Sequence, residues 1–340
     1  MAAQAPSGLA DASSIGRASA QTKKSSNNDG RPEMTTFERV GFIGLGGMGR
    51  GLVKNLVAKG VAVTAYDLNP AAVAVAKSFG ATGAGSLQEI RNNCRIVMIC
   101  VNEAEDVVAL LTSEDGLLAG PAPGFVIVDH TTGSPQMVAK LDRMVRGAGG
   151  RYVEAPMTRT PKHADAGKVN VLFGGERDLL DDLRPYFELY AENIFHIGPL
   201  GHAIRLKLIH NYIAFANVAA WCEGFALAAK EGLDLSQLIG IISAAGAKSG
   251  MLDLYGQATL DGDFTPLMSL ANARKDIRYY ARWLEEAGLP GFMAEAVHQT
   301  YRQAALLGHD GESCTAVIKA YEAVTGVDAR VGPKDQQQGK

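Results

Sequence analysis

The chain has 340 residues, of which 47% are hydrophobic and 20% are charged, and its formal net charge is −3. This composition supports a packed core, and the length suggests two domains rather than one. Because the positive charges are scattered, nothing in the sequence favours nucleic acid as a partner. Polar or charged residues interrupt every apolar stretch before it reaches membrane-spanning length, so we predict no membrane contact.

The two ends of the chain differ from its middle. Residues 1–36 are rich in Ala, Ser, Asn and Gln with few large apolar side chains, which predicts a disordered tail, and residues 327–340 are predicted to form a loose tail. The four cysteines form no CxxC pair and no Cys/His ligand spacing, so we predict no metal site and reduced thiols in a cytoplasmic protein.

A glycine-rich segment follows the first apolar run, Arg39 to Ile43. Gly44, Gly46 and Gly49 form a G-x-G-x-x-G pattern between a predicted strand and a predicted helix. The first glycine permits a tight turn, the second lets the backbone approach a pyrophosphate, and the third lets the helix pack close to the strand. The free N–H groups at the start of that helix then face the phosphates of a dinucleotide.

A second predicted strand, Val61 to Tyr66, ends in Asp67, about 20 residues beyond the glycines. An acid at this position can bind the ribose hydroxyls of the adenosine and repels a 2′-phosphate. The predicted cofactor is therefore NAD, with NADP less favoured. The alternative is that Asp67 only caps the turn DLNP.

Strands and helices continue to alternate up to about residue 197, which predicts a doubly wound parallel sheet in the Rossmann manner over residues 37–197. Ligands bind beyond the carboxyl ends of such strands. We therefore expect one crevice at the strand ends to be bordered by Asn102, the loop DHTTGSP and the loop PMTRTP. Later segments have only helical periodicity, so residues 198–326 are predicted to be an all-α domain for substrate binding and dimerisation.

The two loops carry polar groups suited to an anionic substrate. Thr131 and Thr132 offer hydroxyls and N–H groups to a carboxylate, or else form an ordinary turn before the helix near Pro135. Arg159 lies between Thr158 and Thr160, where it can bind a planar anion or face solvent.

A long helix is predicted from Ile204 to Gly232. Lys207, His210, Asn211 and Ala214 fall on one of its faces. A lysine on a largely apolar helix either extends its amine to water or has a chemical role.

Several of these segments together resemble the β-hydroxyacid dehydrogenase family, which includes 3-hydroxyisobutyrate dehydrogenase. The resemblance covers roughly residues 38–325. It rests on GFIGLGGMG, on DHTTGSP, on IGPLGHAIRLKLIHN, on ARKDIRYYARWLEEAG and on LGHDGESCTAV, which occur in the family's order.

The resemblance implies a fold, a reaction and site residues. The reaction is hydride transfer between a nicotinamide and the alcohol carbon of a short 3-hydroxy acid or its semialdehyde, in a homodimer or homotetramer. The implied catalytic residues are Lys207 and Asn211. Substrate contacts fall on Thr131, Thr132 and Gly133, and we add Arg159. Cofactor contacts fall on Gly44, Leu45, Gly46, Gly47, Met48, Gly49 and Lys275, to which we add Asp67 and Asn102.

Departures from the family pattern leave the substrate open. Met157 to Thr160 replace a Ser-Gly-Gly sequence, Val101-Asn102 replaces Leu-Pro, and His210 replaces an asparagine. The segment around Arg159 resembles that of sulfolactaldehyde reductases, but their pattern has a polar residue where Ala214 stands. Two other functions therefore stay open. Imine reductases share this architecture, and some relatives use the dinucleotide fold as a non-enzymatic oligomerisation module.

Overall fold

A computed structural model describes residues 37–120 and 124–331. The predicted tail at residues 1–36 lies outside the described residues, as does residue 332 onward. Residues 327–331, the predicted start of the loose C-terminal tail, instead pack against the helical region. Ala329 is fully buried, Arg330 pairs with Glu322 at 2.8 Å, and the N–H of Val331 donates to the carbonyl of Leu260 at 2.8 Å.

The described residues contain one sheet, built mostly from parallel strands. The strands are β1 Val40–Ile43, β2 Val63–Tyr66, β3 Thr82–Gly83, β4 Ile96–Ile99, β5 Val126–Asp129, β6 Arg151–Glu154, β7 Met157–Thr158, β8 Val169–Gly174 and β9 Ala191–Gly198. Their order in the sheet is β3-β2-β1-β4-β5-β6-β8-β7, and β9 pairs with β8. The β6–β8 and β7–β8 pairs are antiparallel, and all other pairs are parallel.

Helices cover both faces of this sheet. Because parallel strands are buried on both faces, β1, β4 and β5 are continuous runs of buried residues rather than alternating ones. Two separate buried clusters result, one on each face. The covering helices are α1 Gly47–Ala58, α2 Pro70–Ser78, α3 Leu87–Asn93, α4 Ala104–Thr112, α5 Pro135–Gly147, α6 Pro161–Asp165 and α7 Arg177–Phe187.

The rest of the described chain is helical, which confirms the predicted fold class of a Rossmann-type sheet followed by an all-α region. A third buried cluster, with Phe225, Tyr301 and Leu252 among its members, lies where the later helices pack around the long one. The helices are α8 His202–Lys230, α9 Leu235–Ser243, α10 Gly250–Leu260, α11 Leu270–Glu286, α12 Phe292–Leu306 and α13 Ile318–Thr325, with a 3₁₀ turn at Cys314–Val317.

Within the described ranges, α8 is the one helix long and apolar enough to cross a membrane by length and composition alone. This narrows the expectation that polar or charged residues interrupt every apolar stretch. Between Leu208 and Ala229 the one Asp, Glu, Lys or Arg residue is Glu223, although His210, Asn211 and Asn217 are polar. In the relevant window 44% of the residues are buried inside the protein. A core helix of a soluble protein has the same composition, so the feature is weak evidence for a span.

Candidate active site

A cavity of about 1000 Å³ lies between the carboxyl ends of the strands and the helices α8, α10 and α11. Ten of the predicted site residues line it: Gly46, Gly47, Met48, Gly49, Asn102, Thr132, Arg159, Lys207, Asn211 and Lys275. Five others do not line it, and the structure places them among the supporting residues described below: Gly44, Leu45, Asp67, Thr131 and Gly133.

The glycine loop has the shape that a pyrophosphate requires. A β-carbon on Gly44 would lie 2.2 Å from the carbonyl oxygen of Cys100, and one on Gly49 would lie 2.0 Å from that of Gly44. A β-carbon on Gly46 would meet nothing within 4 Å. Gly46 is also the N-cap of α1, whose first turn has no side-chain cap and no acidic residue. The N–H groups there are therefore available to an anion, and the residues fit a dinucleotide.

Asp67 connects the end of β2 to the glycine loop. Its carboxylate accepts hydrogen bonds from the N–H of Leu45 at 2.6 Å and from the N–H of Asn69 at 2.8 Å. Asp67 therefore holds the loop and its own turn, and it lies half-buried beside the glycine loop.

Lys207 lies on α8 with only 7% of its surface exposed. Burial lowers the pKa of its amine to about 8, while the carboxylate of Asp276 opposes the shift and the neighbouring Lys275 adds to it. Among the described residues, Lys207 forms no hydrogen bond and no ion pair. Its amine is thus a group that can gain or lose a proton near neutral pH at the wall of the cavity.

Asn211 is one turn beyond Lys207, and its orientation is set by its neighbours. Its side-chain amide donates to Asp276 at 2.6 Å, and its oxygen lies 3.0 Å from Nδ1 of His210. Asp276 is 2% exposed and also lies 3.3 Å from the amine of Lys275. Sequence reasoning missed Asp276, although its place beside Lys275 in the segment ARKDIRYY was a signal.

Lys275 joins α11 to the strand ends. Its amine donates to the carbonyl of Asn102 and to that of Thr132, the latter at 3.1 Å. Tyr279, one turn further, donates to Glu105 at 3.1 Å. These bonds fix the helical region against the loops that follow β4 and β5.

The loop after β5 presents Thr132 to the cavity, whereas Thr131 is buried behind it. The hydroxyl of Thr131 accepts from the N–H of Val101 at 3.2 Å, and its own N–H donates to Asp129 at 2.8 Å. A β-carbon on Gly133 would lie 2.8 Å from that of Ala104. Thr131 and Gly133 therefore shape the loop that displays Thr132.

Arg159 lies at the cavity edge in the left-handed region, with φ of 82°. Its guanidinium pairs with Glu192 and donates to the carbonyl of Lys168 at 2.6 Å. The positive charge is therefore partly offset by Glu192, and a substrate anion at Arg159 competes with that carboxylate.

A buried carboxylate caps the helix that carries Lys207. The Glu154 oxygens accept from the N–H groups of Ala203 at 2.9 Å and Ile204 at 3.1 Å. Burial raises the pKa of Glu154 to about 7, against the lowering effect of these hydrogen bonds. A β-carbon on Gly174 would lie 2.1 Å from Oε1 of Glu154, so a glycine there makes room for the carboxylate. Sequence reasoning did not identify this contact, which joins residues about 50 positions apart.

The fold and the glycine loop together define a dinucleotide-binding protein of the doubly wound class. The family model for the NAD binding domain of 6-phosphogluconate dehydrogenase matches residues 39–198, and that for the NAD-binding region of NADP-dependent 3-hydroxyisobutyrate dehydrogenase matches residues 201–321. The chain belongs to the β-hydroxyacid dehydrogenase family, as its sequence predicts.

Individual relatives differ in how much of their length is matched. A 2-(hydroxymethyl)glutarate dehydrogenase of Eubacterium barkeri is 28% identical over 295 residues, which are 86% of this chain and 98% of that protein. The cytokine-like nuclear factor N-PAC of Xenopus tropicalis is 30% identical over 286 residues, 84% of this chain and 54% of that protein. The chain thus spans about half the length of the N-PAC relatives it matches.

Among solved structures, 3-hydroxyisobutyrate dehydrogenase of Salmonella typhimurium has a TM-score of 0.77 and 27% identity, and the match covers 83% of this chain and 99% of that one. An imine reductase of Myxococcus stipitatus has a TM-score of 0.58 and 20% identity. The second similarity concerns the fold alone.

Proposed function

We propose that the protein is an NAD(P)-dependent oxidoreductase that interconverts a short 3-hydroxy acid and its semialdehyde or keto form. The observation that carries this proposal is Lys207, a buried lysine with a pKa lowered to about 8 on the wall of the cavity that the glycine loop also lines. Membership of the β-hydroxyacid dehydrogenase family and the 28% identity to 2-(hydroxymethyl)glutarate dehydrogenase support it.

Each residue of the site has a part in the proposed reaction. A bound nicotinamide would accept or supply the hydride. In oxidation the neutral amine of Lys207 takes the proton of the substrate hydroxyl, and in reduction the ammonium returns it. Asn211, held by Asp276 at 2.6 Å, orients the hydroxyl. Thr132, displayed by Thr131 and Gly133, binds the carboxylate, and Arg159 can contact a second polar group at the cavity edge.

The proposed cofactor is NAD rather than NADP. The N–H groups of Gly47, Met48 and Gly49 would hold the pyrophosphate, and Asp67 would accept hydrogen bonds from the ribose hydroxyls. A 2′-phosphate would bring a second negative charge close to the Asp67 carboxylate, which disfavours NADP. Asn102 and Lys275 lie at the same crevice and would border the nicotinamide.

Assembly and location complete the proposal. We expect a homodimer or homotetramer, because the family forms oligomers and because α8 exposes Leu206, Ile213 and Leu227 by 40%, 53% and 60%. We place the protein in the cytoplasm, and its four cysteines, all within the described ranges, form no disulfide bond.

The direct test replaces Lys207 with alanine and measures turnover with NAD and NADP on short 3-hydroxy acids and semialdehydes. Loss of the proton-transfer group should lower kcat by about 10²–10⁴. NADH binding, followed by fluorescence, should stay unchanged because Lys207 is placed at the substrate. Near-normal kcat in this variant would refute the role of Lys207.

Two other functions are distinguished by the same assay. An imine reductase would reduce cyclic imines and leave hydroxy acids unchanged. A non-enzymatic module would bind NADH and turn over neither class of substrate. Several matched relatives carry the name of a nuclear factor, N-PAC, rather than of an enzyme. The presence of Lys207, Asn211, Asp276 and Lys275 in one cavity favours the dehydrogenase.

A further inference from the structure

The cavity that holds Lys207 continues along α8, in addition to the part at the glycine loop that is assigned to the cofactor. Seven residues along α8, about 10 Å at 1.5 Å per residue, separate Lys207 from Ala214. Much of the lining away from the glycine loop is apolar, although Asn217, Ser269 and Asn272 also border the cavity. The apolar part includes Phe215 and Tyr255, which are 3% and 6% exposed, together with Ala214, Met251, Leu267 and Met268. We call these six residues the apolar pocket.

The charged residues of the cavity also favour a substrate with a single anionic group. Its lysine and arginine residues are Arg159, Lys207 and Lys275. Arg159 already faces Glu192, and Lys275 lies 3.3 Å from Asp276. Lys207 alone among them lies outside any ion pair with described residues, and it is assigned to the reacting hydroxyl. A second anionic group on the substrate would therefore meet no uncommitted cation, and its desolvation would be uncompensated.

The apolar pocket suits a flexible hydrocarbon group. Met251 and Met268 are unbranched and polarisable, so they adjust to different shapes. Both are half-buried and extend the packed cluster of the helical region, so they are part of a formed wall. Removal of apolar substrate surface from water is favourable wherever such a wall receives it.

We propose that the substrate is a 3-hydroxy acid, or the matching oxo acid, that carries an apolar substituent of several carbon atoms, and that the apolar pocket binds this substituent. The inference rests on the proposed dehydrogenase function, since it takes the reacting end of the substrate to lie at Lys207. It differs from the sequence expectation that Arg159 recognises a second anion.

The test compares kcat/KM for unsubstituted 3-hydroxypropionate, 3-hydroxyhexanoate, 3-hydroxyoctanoate and a hydroxy dicarboxylate such as 2-(hydroxymethyl)glutarate. We expect an increase of roughly fourfold per methylene group over the first carbons that enter the pocket. The hydroxy dicarboxylate should be the poorest substrate. A preference for the dicarboxylate, or kcat/KM independent of chain length, would overturn the inference.

Matched variants locate the effect. Met251→Gln keeps the side-chain length but adds polar atoms to the pocket, so it should remove most of the dependence of kcat/KM on chain length. Met293→Gln makes the same chemical change at a residue that is 66% exposed and lies outside the cavity lining, and should leave the dependence intact. Equal effects of the two variants would contradict the assignment.

A binding measurement separates this inference from the proposed function. Calorimetry with the protein–NADH complex should show that octanoate binds more tightly than hexanoate or glutarate, and that Met251→Gln removes the difference. If no substrate turns over but octanoate still binds most tightly, the proposed dehydrogenase function is refuted and the assignment of the apolar pocket is supported. Absence of the binding order would refute the pocket even in an active enzyme.

Discussion

At the scale of single residues, the site depends on how burial changes ordinary side chains. Lys207 and Lys275 are both 7% exposed and lie near the same carboxylate, Asp276. Lys275 is used as a structural donor to two carbonyls, whereas Lys207 is left outside any such bond and has its pKa lowered to about 8. Two lysines in one cavity thus acquire different chemistry from their partners.

The lowered pKa of Lys207 predicts a pH profile with opposite slopes in the two directions. The neutral amine predominates above the pKa of about 8 and the ammonium below it. For oxidation, kcat/KM should therefore rise through about pH 8 and then level off, and for reduction kcat should fall above it. Steady-state assays between pH 6 and about 10 check this range around the pKa. A flat profile in both directions would remove Lys207 as the proton-transfer group.

The glycine loop predicts that two alanine variants fail in different ways. Gly46→Ala places its β-carbon in open space, so the protein should keep its stability, but the methyl group occupies the approach of the pyrophosphate and NADH affinity should fall. Gly49→Ala places its β-carbon 2.0 Å from the carbonyl oxygen of Gly44, so it should unfold at lower urea concentration. Chemical denaturation and NADH titration of both variants test the pair, and equal stability loss in both would contradict this geometry.

At the scale of elements, α8 is positioned by a residue from the sheet. Glu154 at the end of β6 accepts from the first N–H groups of α8, a role that a side chain at the N-cap usually fills. The N-cap itself is Gly201, with no side chain to offer. The helix that carries Lys207 is thereby fixed to the strand ends that border the cavity.

Glu154 predicts a pH-dependent contribution to stability. Its pKa is raised in the folded protein from 4.5 to about 7, so the folded state holds its proton more tightly than the unfolded state does. The resulting stabilisation is present in full below about pH 4.5 and is lost as pH rises through about 7, with a total on the order of 3 kcal/mol.

Glu154→Gln cannot titrate, so the stability of the wild type relative to this variant should fall between pH 4.5 and 7. Urea unfolding of both proteins at several pH values measures the difference and cancels the contribution of other groups, such as the buried His130, whose pKa is lowered to about 4. The exposed Glu188→Gln serves as control. A difference that stays constant with pH would show that Glu154 does not titrate in this range.

At the scale of the whole molecule, one face of α8 exposes a row of apolar residues. Leu206, Ile213, Ala220 and Leu227 follow one another at intervals of seven residues, and all four are exposed, with Ile213 also at the border of the cavity. A seven-residue spacing of apolar side chains is typical of a helix that packs against another helix. This face is the most direct physical reason to expect the proposed homo-oligomer.

The prediction is that Leu227→Glu, at the C-terminal end of this face, shifts the protein towards the monomer in sedimentation velocity experiments. A buried unpaired charge at a subunit contact is strongly unfavourable. Leu68→Glu, at a residue that is 86% exposed on the sheet region, should leave the sedimentation coefficient unchanged. A wild-type protein that is monomeric at all concentrations would refute the proposed assembly.

Local sequence patterns were sufficient to predict the structural features that residues close together in the sequence form. Apolar runs, glycine spacing and helical periodicity predicted the Rossmann sheet, the glycine loop and the long helix, because each is formed by residues within one or two elements. The two-residue β7, by contrast, lies in the segment PMTRTP, for which the sequence predicts a loop, and the sequence gives no prediction for the antiparallel β8. Their pairing depends on strands that are distant in sequence.

Only the tertiary structure decided which groups meet. The sequence by itself determined the family, the fold class and the presence of Lys207, Asn211, Lys275 and Arg159. The fold then brought Asp276 to Asn211, Glu192 to Arg159 and Glu154 to the start of α8. The physical reason is that burial and charge pairing, which set the pKa of a group and its freedom to bind a ligand, depend on distances between elements that a linear pattern does not contain.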